Sequence, residues 1–127
     1  MKNMNEISSE IKKLIEKNAL ALTTIDKNNN PHCIAVGYPK VVSKNQIVLS
    51  VIHIVETIKN IERNNNVALA IWSRNWEEDC EGYELKGKAE HFTSGKWKEF
   101  VDNLPENKNE GVKGTILITV DKIKKLA

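Results

Sequence analysis

The spacing of apolar residues changes near residue 19, from a helical period to the short stretches typical of β-strands. Apolar side chains recur three and four positions apart between Ile7 and Ile15, and Ser8 or Ser9 offers a hydroxyl that can cap a helix start. This pattern predicts a helix over residues 8–18. Comparable spacing predicts two more helices, over residues 56–63 and over residues 94–104, the latter capped by Ser94.

Short stretches rich in branched aliphatic residues, bounded by polar turn residues, predict six strands. Their ranges are 19–25, 31–42, 46–51, 67–72, 83–92 and 115–120. The polar turns at 26–30 and 43–45 predict that the first three strands form an antiparallel meander. Residues 67–72 are all apolar, so we expect this strand to be buried on both faces. Together the pattern favours a mainly β fold, a closed or split antiparallel barrel, with an N-terminal helix and two further short helices.

Composition indicates one domain over residues 1–127, since 40% of the residues are hydrophobic and 28% are charged. The formal net charge is only +2, and the lysines are scattered, so we expect no nucleic-acid partner. No apolar run approaches the roughly 20 residues that span a bilayer, and the polar N-terminus lacks the apolar core of a signal peptide. Cys33 and Cys80 are too few for a disulfide scaffold, and we expect a cytoplasmic protein without a membrane partner.

Catalytic and metal-binding motifs are absent from the sequence. His32, His53 and His91 are far apart, and none stands at metal-ligand spacing from a cysteine or carboxylate. The sequence has no nucleophile elbow, no P-loop and no dinucleotide-binding glycine pattern. We therefore name no catalytic residue. Trp72 and Trp76 are interpreted as core and loop anchors, and Trp97 as packing its helix onto the sheet.

The segment from Ser50 to Ile61 carries a strand end, a connector and a helix start. A helix start has free N–H groups and the positive end of the helix dipole, both of which favour a phosphate group. Thr57 adds a hydroxyl donor there, and Lys59 adds a nearby positive charge. Thr57 acting as an ordinary helix cap explains the same pattern equally well, so both interpretations stay open.

The order and spacing of these elements resemble the pyridoxamine 5'-phosphate oxidase-like FMN-binding split barrels, above all the small single-domain FMN-binding proteins of anaerobic bacteria and archaea. The resemblance extends from about residue 19 to residue 126. The matching pieces are ALALTT at 19–24, NPH at 30–32, KVV at 40–42, TIKNIERN at 57–64, VAL at 67–69, LKGKA at 85–89 and GTILITV at 114–120.

The resemblance implies a six-stranded Greek-key split barrel that forms a homodimer and holds FMN at the subunit interface. It implies that Ala35, Val36 and Gly37 face the flavin, largely through backbone groups. Tyr38 is a candidate neighbour of the ring, and its alternative role as an outward-facing strand tyrosine stays open. It also implies a phosphate site at the end of the third strand and the following helix start, formed by Ser50, Val51, Thr57 and Asn60. Lys59 is expected beside this site from its position in the helix, as a nearby positive charge that compensates for Glu56. Lys40 matches a lysine that lies near the substrate phosphate in the oxidases.

Two positions depart from the family pattern. Ala35 stands where the oxidases have an arginine, and Glu56 stands where relatives commonly have lysine or arginine. A phosphate is best held by cationic donors, so Glu56 opposes it. We therefore expect a flavoprotein, an oxidoreductase or electron carrier with an unidentified redox partner or small substrate, without pyridoxamine-phosphate oxidase activity. A flavin-less binding or structural dimer, and the same cleft loaded with a deazaflavin or haem beside His53, stay open.

Overall fold

The computed structural model describes residues 3–127; Met1 and Lys2, at the start of the polar N-terminal stretch, lie outside the described residues. Eight strands occur in the described part of the chain, and all their pairings are antiparallel. Their bounds are β1 Asn3–Met4, β2 Leu20–Ile25, β3 Pro31–Val36, β4 Lys40–Ser43, β5 Gln46–Val51, β6 Asn66–Trp72, β7 Gly82–Phe92 and β8 Gly114–Lys125. The predicted mainly β class is confirmed, and the predicted strand number is wrong.

The three predicted helices are present, as α1 Ser9–Lys17, α2 Glu56–Arg63 and α3 Lys96–Asp102. Ser8 caps α1, because its hydroxyl accepts a hydrogen bond from the Ile11 N–H over 3.2 Å. The predicted cap of α3 by Ser94 is wrong: Gly95 takes that position with a φ of 91°, a conformation that glycine adopts readily. No helix within residues 3–127 is long and apolar enough to cross a membrane.

The predicted strand over residues 31–42 is in fact two strands, separated by Gly37, Tyr38 and Pro39. Tyr38 has a φ of 54°, and Pro39 has no N–H to give to a ladder, so the extended backbone is interrupted here. Among the described residues, β3 pairs with β2 alone, and β4 pairs with β5. The predicted three-stranded meander is therefore wrong, although its two turns do close hairpins.

The strands follow the order β3-β2-β6-β7-β8-β5-β4, with β1 added to β8. β3 and β4 lie at the two ends of this path and are not paired with each other within the described residues. The consecutive strands β3 and β4 thus lie far apart in the hydrogen-bonded order. This open path agrees with a split barrel, and it leaves the outer edge of β3 accessible beside the start of α2.

Side chains on the inner face of the sheet form the main core together with Ile11 and Ile15 of α1. β6 contributes alternate positions only: Val67, Leu69 and Ile71 are buried, whereas Trp72 is 45% exposed. The expectation that this strand is buried on both faces, with Trp72 in the core, is therefore wrong.

A second, smaller apolar cluster lies on the outer face of β5 and β8. Val48 and Leu117 of these strands pack there with Val101 of α3. Trp97 packs against the same cluster, so the prediction that it attaches its helix to the sheet is confirmed. The 3-10 turn Pro105–Asn107 follows α3 and continues over this face.

Candidate functional site

A cleft of about 420 Å³ lies between β3 and the start of α2. Two segments that are distant in sequence, residues 32–35 and 53–57, form its walls. The lining combines two histidines, apolar side chains and the first residues of the helix: His32, Ile34, Ala35, His53, Ile54, Val55, Glu56 and Thr57. The α2 start that the sequence singled out is therefore part of a concave surface.

The start of α2 lacks a side-chain cap within the described residues. Val55 occupies the N-cap position, and its aliphatic side chain cannot accept a hydrogen bond. The first turn closes through the Lys59 N–H, which donates to the Val55 carbonyl over 3.3 Å. The earlier N–H groups of a helix have no acceptor within it, so this helix start presents unused donors beside the cleft.

Thr57 lines the cleft, yet the residue is only 1% exposed. Its Oγ1 atom has no hydrogen-bond partner among residues 3–127. A buried hydroxyl left without a partner costs about 1–3 kcal/mol. Thr57 is therefore not an ordinary helix cap, the alternative that its sequence position left open, and its hydroxyl is buried and unpartnered within the described residues.

The charged and titratable side chains of the lining are His32, His53 and Glu56. No lysine or arginine of the described chain belongs to the lining. Lys59 is exposed on α2 and stands outside it. The cleft consequently offers neutral donors and histidines to an anion, and one carboxylate that opposes it.

The structure distributes the remaining predicted flavin-side residues over different environments. Ala35 is exposed on the cleft wall, whereas Val36 points into the core at 5% exposure. Gly37 and Tyr38 lie in the connector between β3 and β4, with Tyr38 69% exposed. Val51 is buried in the core, so only its backbone could serve a ligand.

Lys40 and Ser50 lie on the sheet face that carries α3. Lys40 is directly opposite Val48 in the ladder, and it pairs with Glu106 at 3.6 Å between Nζ and Oε1. The Ser50 hydroxyl accepts a hydrogen bond from the Asn107 side-chain amide over 2.8 Å. These two predicted site residues are therefore held by the 3-10 turn and do not line the cleft.

Glu106 and Asn107 were not singled out by the sequence. They lie in a segment without apolar periodicity, and Asn107 meets Ser50 across 57 positions of the chain. The Glu106 Oε2 atom is buried and has no hydrogen-bond partner within residues 3–127. Contacts of this range leave no local sequence signal, so only the fold reveals them.

Asn60 is buried, at 2% exposure, and its side chain joins α2 to β2. Its amide nitrogen donates to the Thr24 hydroxyl over 2.9 Å, and its amide oxygen accepts from Arg63 over 3.2 Å. Both ends of the amide are used inside the protein. A role of Asn60 in ligand binding therefore stays a prediction.

A larger concavity, of about 680 Å³, lies around the β2–β3 turn, the end of α2 and the end of β7. Its charges are of mixed sign, and two of its charged side chains are already hydrogen-bonded to neighbouring backbone groups. Arg63 donates to the Ile25 carbonyl over 3.2 Å, and Asp26 accepts from the Asn28 and Asn30 N–H groups. We regard the smaller cleft as the site, because it combines free donors with an apolar wall.

Metal binding finds no support in the described residues. No group of three or more His, Cys, Asp or Glu side chains within residues 3–127 is placed to hold an ion. Cys33 and Cys80 are both free and exposed.

Known structures share this fold over nearly the whole chain. The HupZ protein of Group A Streptococcus is 24% identical, with a TM-score of 0.85 and 94% of each chain covered. A candidate pyridoxamine 5'-phosphate oxidase of Lactobacillus delbrueckii is 18% identical, with a TM-score of 0.80 over 98% of this chain and 99% of that one. An FMN-binding protein of Syntrophomonas wolfei is 17% identical, with a TM-score of 0.73 over 91% of this chain and 83% of that one. At these identities the likeness establishes the fold.

Among curated protein sequences, none matches the chain significantly. The family model described as pyridoxamine 5'-phosphate oxidase matches residues 7–126, almost the entire sequence. This match agrees with the order of elements and the open antiparallel sheet. The chain belongs to the pyridoxamine 5'-phosphate oxidase family.

Proposed function

We propose that the protein is an FMN-binding flavoprotein, an oxidoreductase or electron carrier, that holds its phosphate at the start of α2. The observation that carries this proposal is that Thr57, a residue of the cleft lining, has a buried hydroxyl without a hydrogen-bond partner within residues 3–127. Family membership and the FMN-binding relative from Syntrophomonas wolfei support the choice of ligand.

The phosphate of FMN fits the donors at this helix start. A phosphate accepts several hydrogen bonds, and here the Thr57 hydroxyl and the unused N–H groups beside it can donate them. The dipole of the eight-residue helix α2 adds a favourable potential for negative charge. Glu56 is exposed, so its carboxylate can turn toward solvent and away from a bound anion.

The apolar wall of the cleft fits a flat aromatic ring. Ile34, Ala35, Ile54 and Val55 line it, and the small side chain of Ala35 leaves room close to the β3 backbone. A bound flavin would supply hydride and single-electron transfer. The chain's own part is to hold the ring against this wall, to exclude water from one side of it, and to offer His32 or His53 for proton movement at the cleft.

A homodimer interface is part of the proposal. Ala21 lies opposite Ala35 on one side and opposite Ala70 on the other, so three small side chains stand together across β3, β2 and β6. This outer face continues into the cleft through Ala35. A second copy packed on this face would cover the ring edge. Sedimentation at micromolar concentration should give a dimer, and monomer alone would contradict the interface.

A second candidate function is a flavin-less dimer that binds another ligand or serves a structural role. Glu56 is the observation that favours it, because this carboxylate stands at the helix start where an anion would bind. The missing lysine and arginine among the lining residues point in the same direction. Under this alternative the cleft has no preference for a phosphate-bearing ligand.

Fluorescence titration with FMN and with riboflavin distinguishes the two candidates. We expect saturable binding of one FMN per chain, and much weaker binding of riboflavin, which has the same ring and no phosphate. Thr57→Val should weaken FMN binding about tenfold or more, since it removes a hydrogen bond to a charged group. Thr57→Ser keeps the hydroxyl and is the matched control. Absence of saturable FMN binding up to about 100 µM would contradict the proposal and favour the flavin-less dimer.

A further inference from the structure

Three exposed apolar side chains lie together on the outer face of the sheet, where β6 leads into β7. Trp72 is 45% exposed, Trp76 is 46% exposed and Leu126 is 55% exposed. With Ala70 and Gly82 they line a concavity of about 410 Å³. Exposed apolar clusters rich in aromatic side chains are typical of protein–protein contact sites. This apolar patch is therefore a candidate interface.

The loop between β6 and β7 folds onto the same outer face. Gly82 alternates on β7 with the outward-facing Glu84, so a side chain at Gly82 would also point outward. A Cβ atom there would lie 3.5 Å from the Trp76 ring, which therefore covers the outer side of β7. Glu77 and Glu78 follow Trp76 directly and are both exposed. Two negative charges thus stand beside the apolar patch.

Lysines that are scattered along the sequence come together farther along this face. Lys86 of β7 is directly opposite Lys122 of β8, and residues in such pairs point to the same side of a sheet. Lys88 and Lys124 occupy neighbouring outward positions, and all four residues are exposed. Glu84 is 4.0 Å from Lys86 between Oε1 and Nζ. Two lysines directly opposite each other destabilise a strand pair, and acidic groups of a partner would offset that repulsion.

The rest of the acidic loop is placed next to cations of its own chain. Asp79 and Glu81 line a concavity together with three basic side chains, Lys13, Lys17 and Arg74. Glu77 and Glu78 do not line it, and neither has a cationic side chain within 4.0 Å among residues 3–127. These two carboxylates are therefore the ones available to a partner.

Acidic and apolar groups thus occupy one end of this face, and basic groups occupy the part farther along the strands. We propose that two copies of the chain dock these faces in opposite orientation, so that Glu77 and Glu78 of each copy pair with Lys86 and Lys122 of the other. The second copy is the occupant that the charges favour, because one chain carries both complementary parts. This inference rests on the proposed homodimer and gives its orientation and its contacts.

The dimensions of the sheet fit a two-fold arrangement. Strand residues rise about 3.4 Å each, so Gly82 and Lys86 are separated by about 14 Å. Glu84, halfway between them, is opposite Ala70 on β6. A two-fold axis near Ala70 therefore brings the loop of one copy over the lysines of the other. The small side chains of Ala70 and its β2 neighbour Ala21 allow a close approach at this centre.

The same orientation gives the exposed tryptophans a favourable environment. Trp72 and Trp76 come to lie over the side chains of Lys86 and Lys122 in the second copy. The aliphatic part of a lysine covers apolar surface, and its ammonium group is attracted to the face of an indole ring. Apolar, acidic and basic groups of one face are then all satisfied by a single contact.

Charge reversal tests this pairing, with the dimer dissociation constant measured by sedimentation equilibrium. Lys86→Glu/Lys122→Glu should weaken the dimer about 100-fold or more, since a symmetric interface contains each substitution twice. Glu77→Lys/Glu78→Lys should weaken it to a similar extent. An equimolar mixture of the two variants should restore dimers, because the acidic loop of one variant meets the basic sheet of the other, and the basic loop meets the acidic sheet.

A matched variant and the wild type provide the controls. Lys108→Glu/Lys113→Glu makes the same change of charge at exposed positions outside this face and should leave the dissociation constant unchanged. Raising the salt concentration from about 0.05 M to about 0.5 M should weaken the wild-type dimer about tenfold, because exposed ion pairs are screened. That measurement needs no variant. An unchanged dimer in either charge-reversal variant, a mixture that stays monomeric, or a salt-independent wild-type dimer would overturn the inference.

FMN titration of the same samples separates this inference from the proposed function. Saturable FMN binding by a dimer that charge reversal leaves intact would remove this interface and preserve the flavoprotein. Dimers that form only with complementary charges, without FMN binding, would support the interface and contradict the flavin. A monomeric wild type at micromolar concentration would overturn both this interface and the proposed homodimer.

Discussion

Glu56 and Thr57 stand side by side at the start of α2 and have opposite effects on an anion. The Thr57 hydroxyl is a buried donor without a partner in the described chain, whereas the Glu56 carboxylate brings negative charge to the same lining. In the ligand-free protein the hydroxyl makes no hydrogen bond that would stabilise the fold. Burying it lowers the stability, because it has lost its hydrogen bonds to water. A residue that is unfavourable for stability yet lines a cleft is better explained by binding than by folding.

Thr57→Val tests this directly, because valine has nearly the same shape without the hydroxyl. We expect the free energy of unfolding of the ligand-free variant to rise by about 1 kcal/mol, measured by denaturant unfolding. Thr57→Ser retains the unpartnered hydroxyl and loses a methyl group, so it should be less stable than the wild type by about 1 kcal/mol. A less stable Thr57→Val variant would mean that the hydroxyl has a partner that supports the fold.

Single residues also explain why the sequence predicted the site only in part. The sequence singled out Thr57 because helix starts have a local signature. Lys40 and Ser50 were assigned to the site by resemblance, but Glu106 and Asn107 hold them on the face that carries α3. Such long-range pairings leave no pattern in the sequence. The burial of a polar side chain such as Asn60 is equally invisible before the fold is known.

At the scale of elements, local patterns predicted the helices and most strands, and the interruption of the second strand was missed. Residues 33–42 carry a single charged side chain, Lys40, so the hydrophobic pattern alone gives no reason to break the strand there. The positive φ of Tyr38 and the missing N–H of Pro39 end the ladder. This interruption matters for the topology, because β3 and β4 lie at opposite ends of the strand order.

The β2–β3 hairpin beside the cleft is stabilised by the Asp26 carboxylate. The backbone N–H groups of Asn30 and Asn28 donate to it and hold its pKa below the ordinary range. A carboxyl group with a lowered pKa adds stability above its unfolded pKa and loses it as the pH falls. Asp26→Asn should therefore be less stable than the wild type near neutral pH, with the difference shrinking below about pH 4. Denaturant unfolding across this range measures it, and a constant difference would contradict the account.

The β7–β8 pairing carries a register shift at Gly87. A Cβ atom there would collide with the carbonyl oxygen of Thr119 on β8. Gly87→Ala should therefore lower the free energy of unfolding by about 2 kcal/mol or more, measured by denaturant unfolding. Gly37→Ala is the control, because a Cβ at Gly37 meets nothing within 4 Å among the described residues. The free energy of unfolding of that variant should lie within about 0.5 kcal/mol of the wild-type value. An equal loss of stability in both variants would contradict the packing argument.

At the scale of the whole molecule, the open sheet and the short helix α2 create the cleft together. β3 is an edge strand with a free side, and α2 begins beside it. Neither element forms a concave surface alone, and the two lining segments are about twenty residues apart in sequence. The fold class could be predicted from the sequence because it depends on many weak local patterns. The cleft could not be predicted from the sequence, because it depends on how the edge strand β3 and the start of α2 meet in the folded chain.

The proposed site holds the phosphate of FMN at the start of α2 and the flavin ring against the adjacent part of β3. The most direct test follows the backbone amide resonances of isotope-labelled protein during titration with FMN. The account predicts the largest shifts at Ala35, Thr57 and Ile58, with riboflavin shifting the last two much less. The largest shifts at the backbone amides of Trp72 and Trp76, whose side chains are exposed, would contradict this site, as would the absence of any shift.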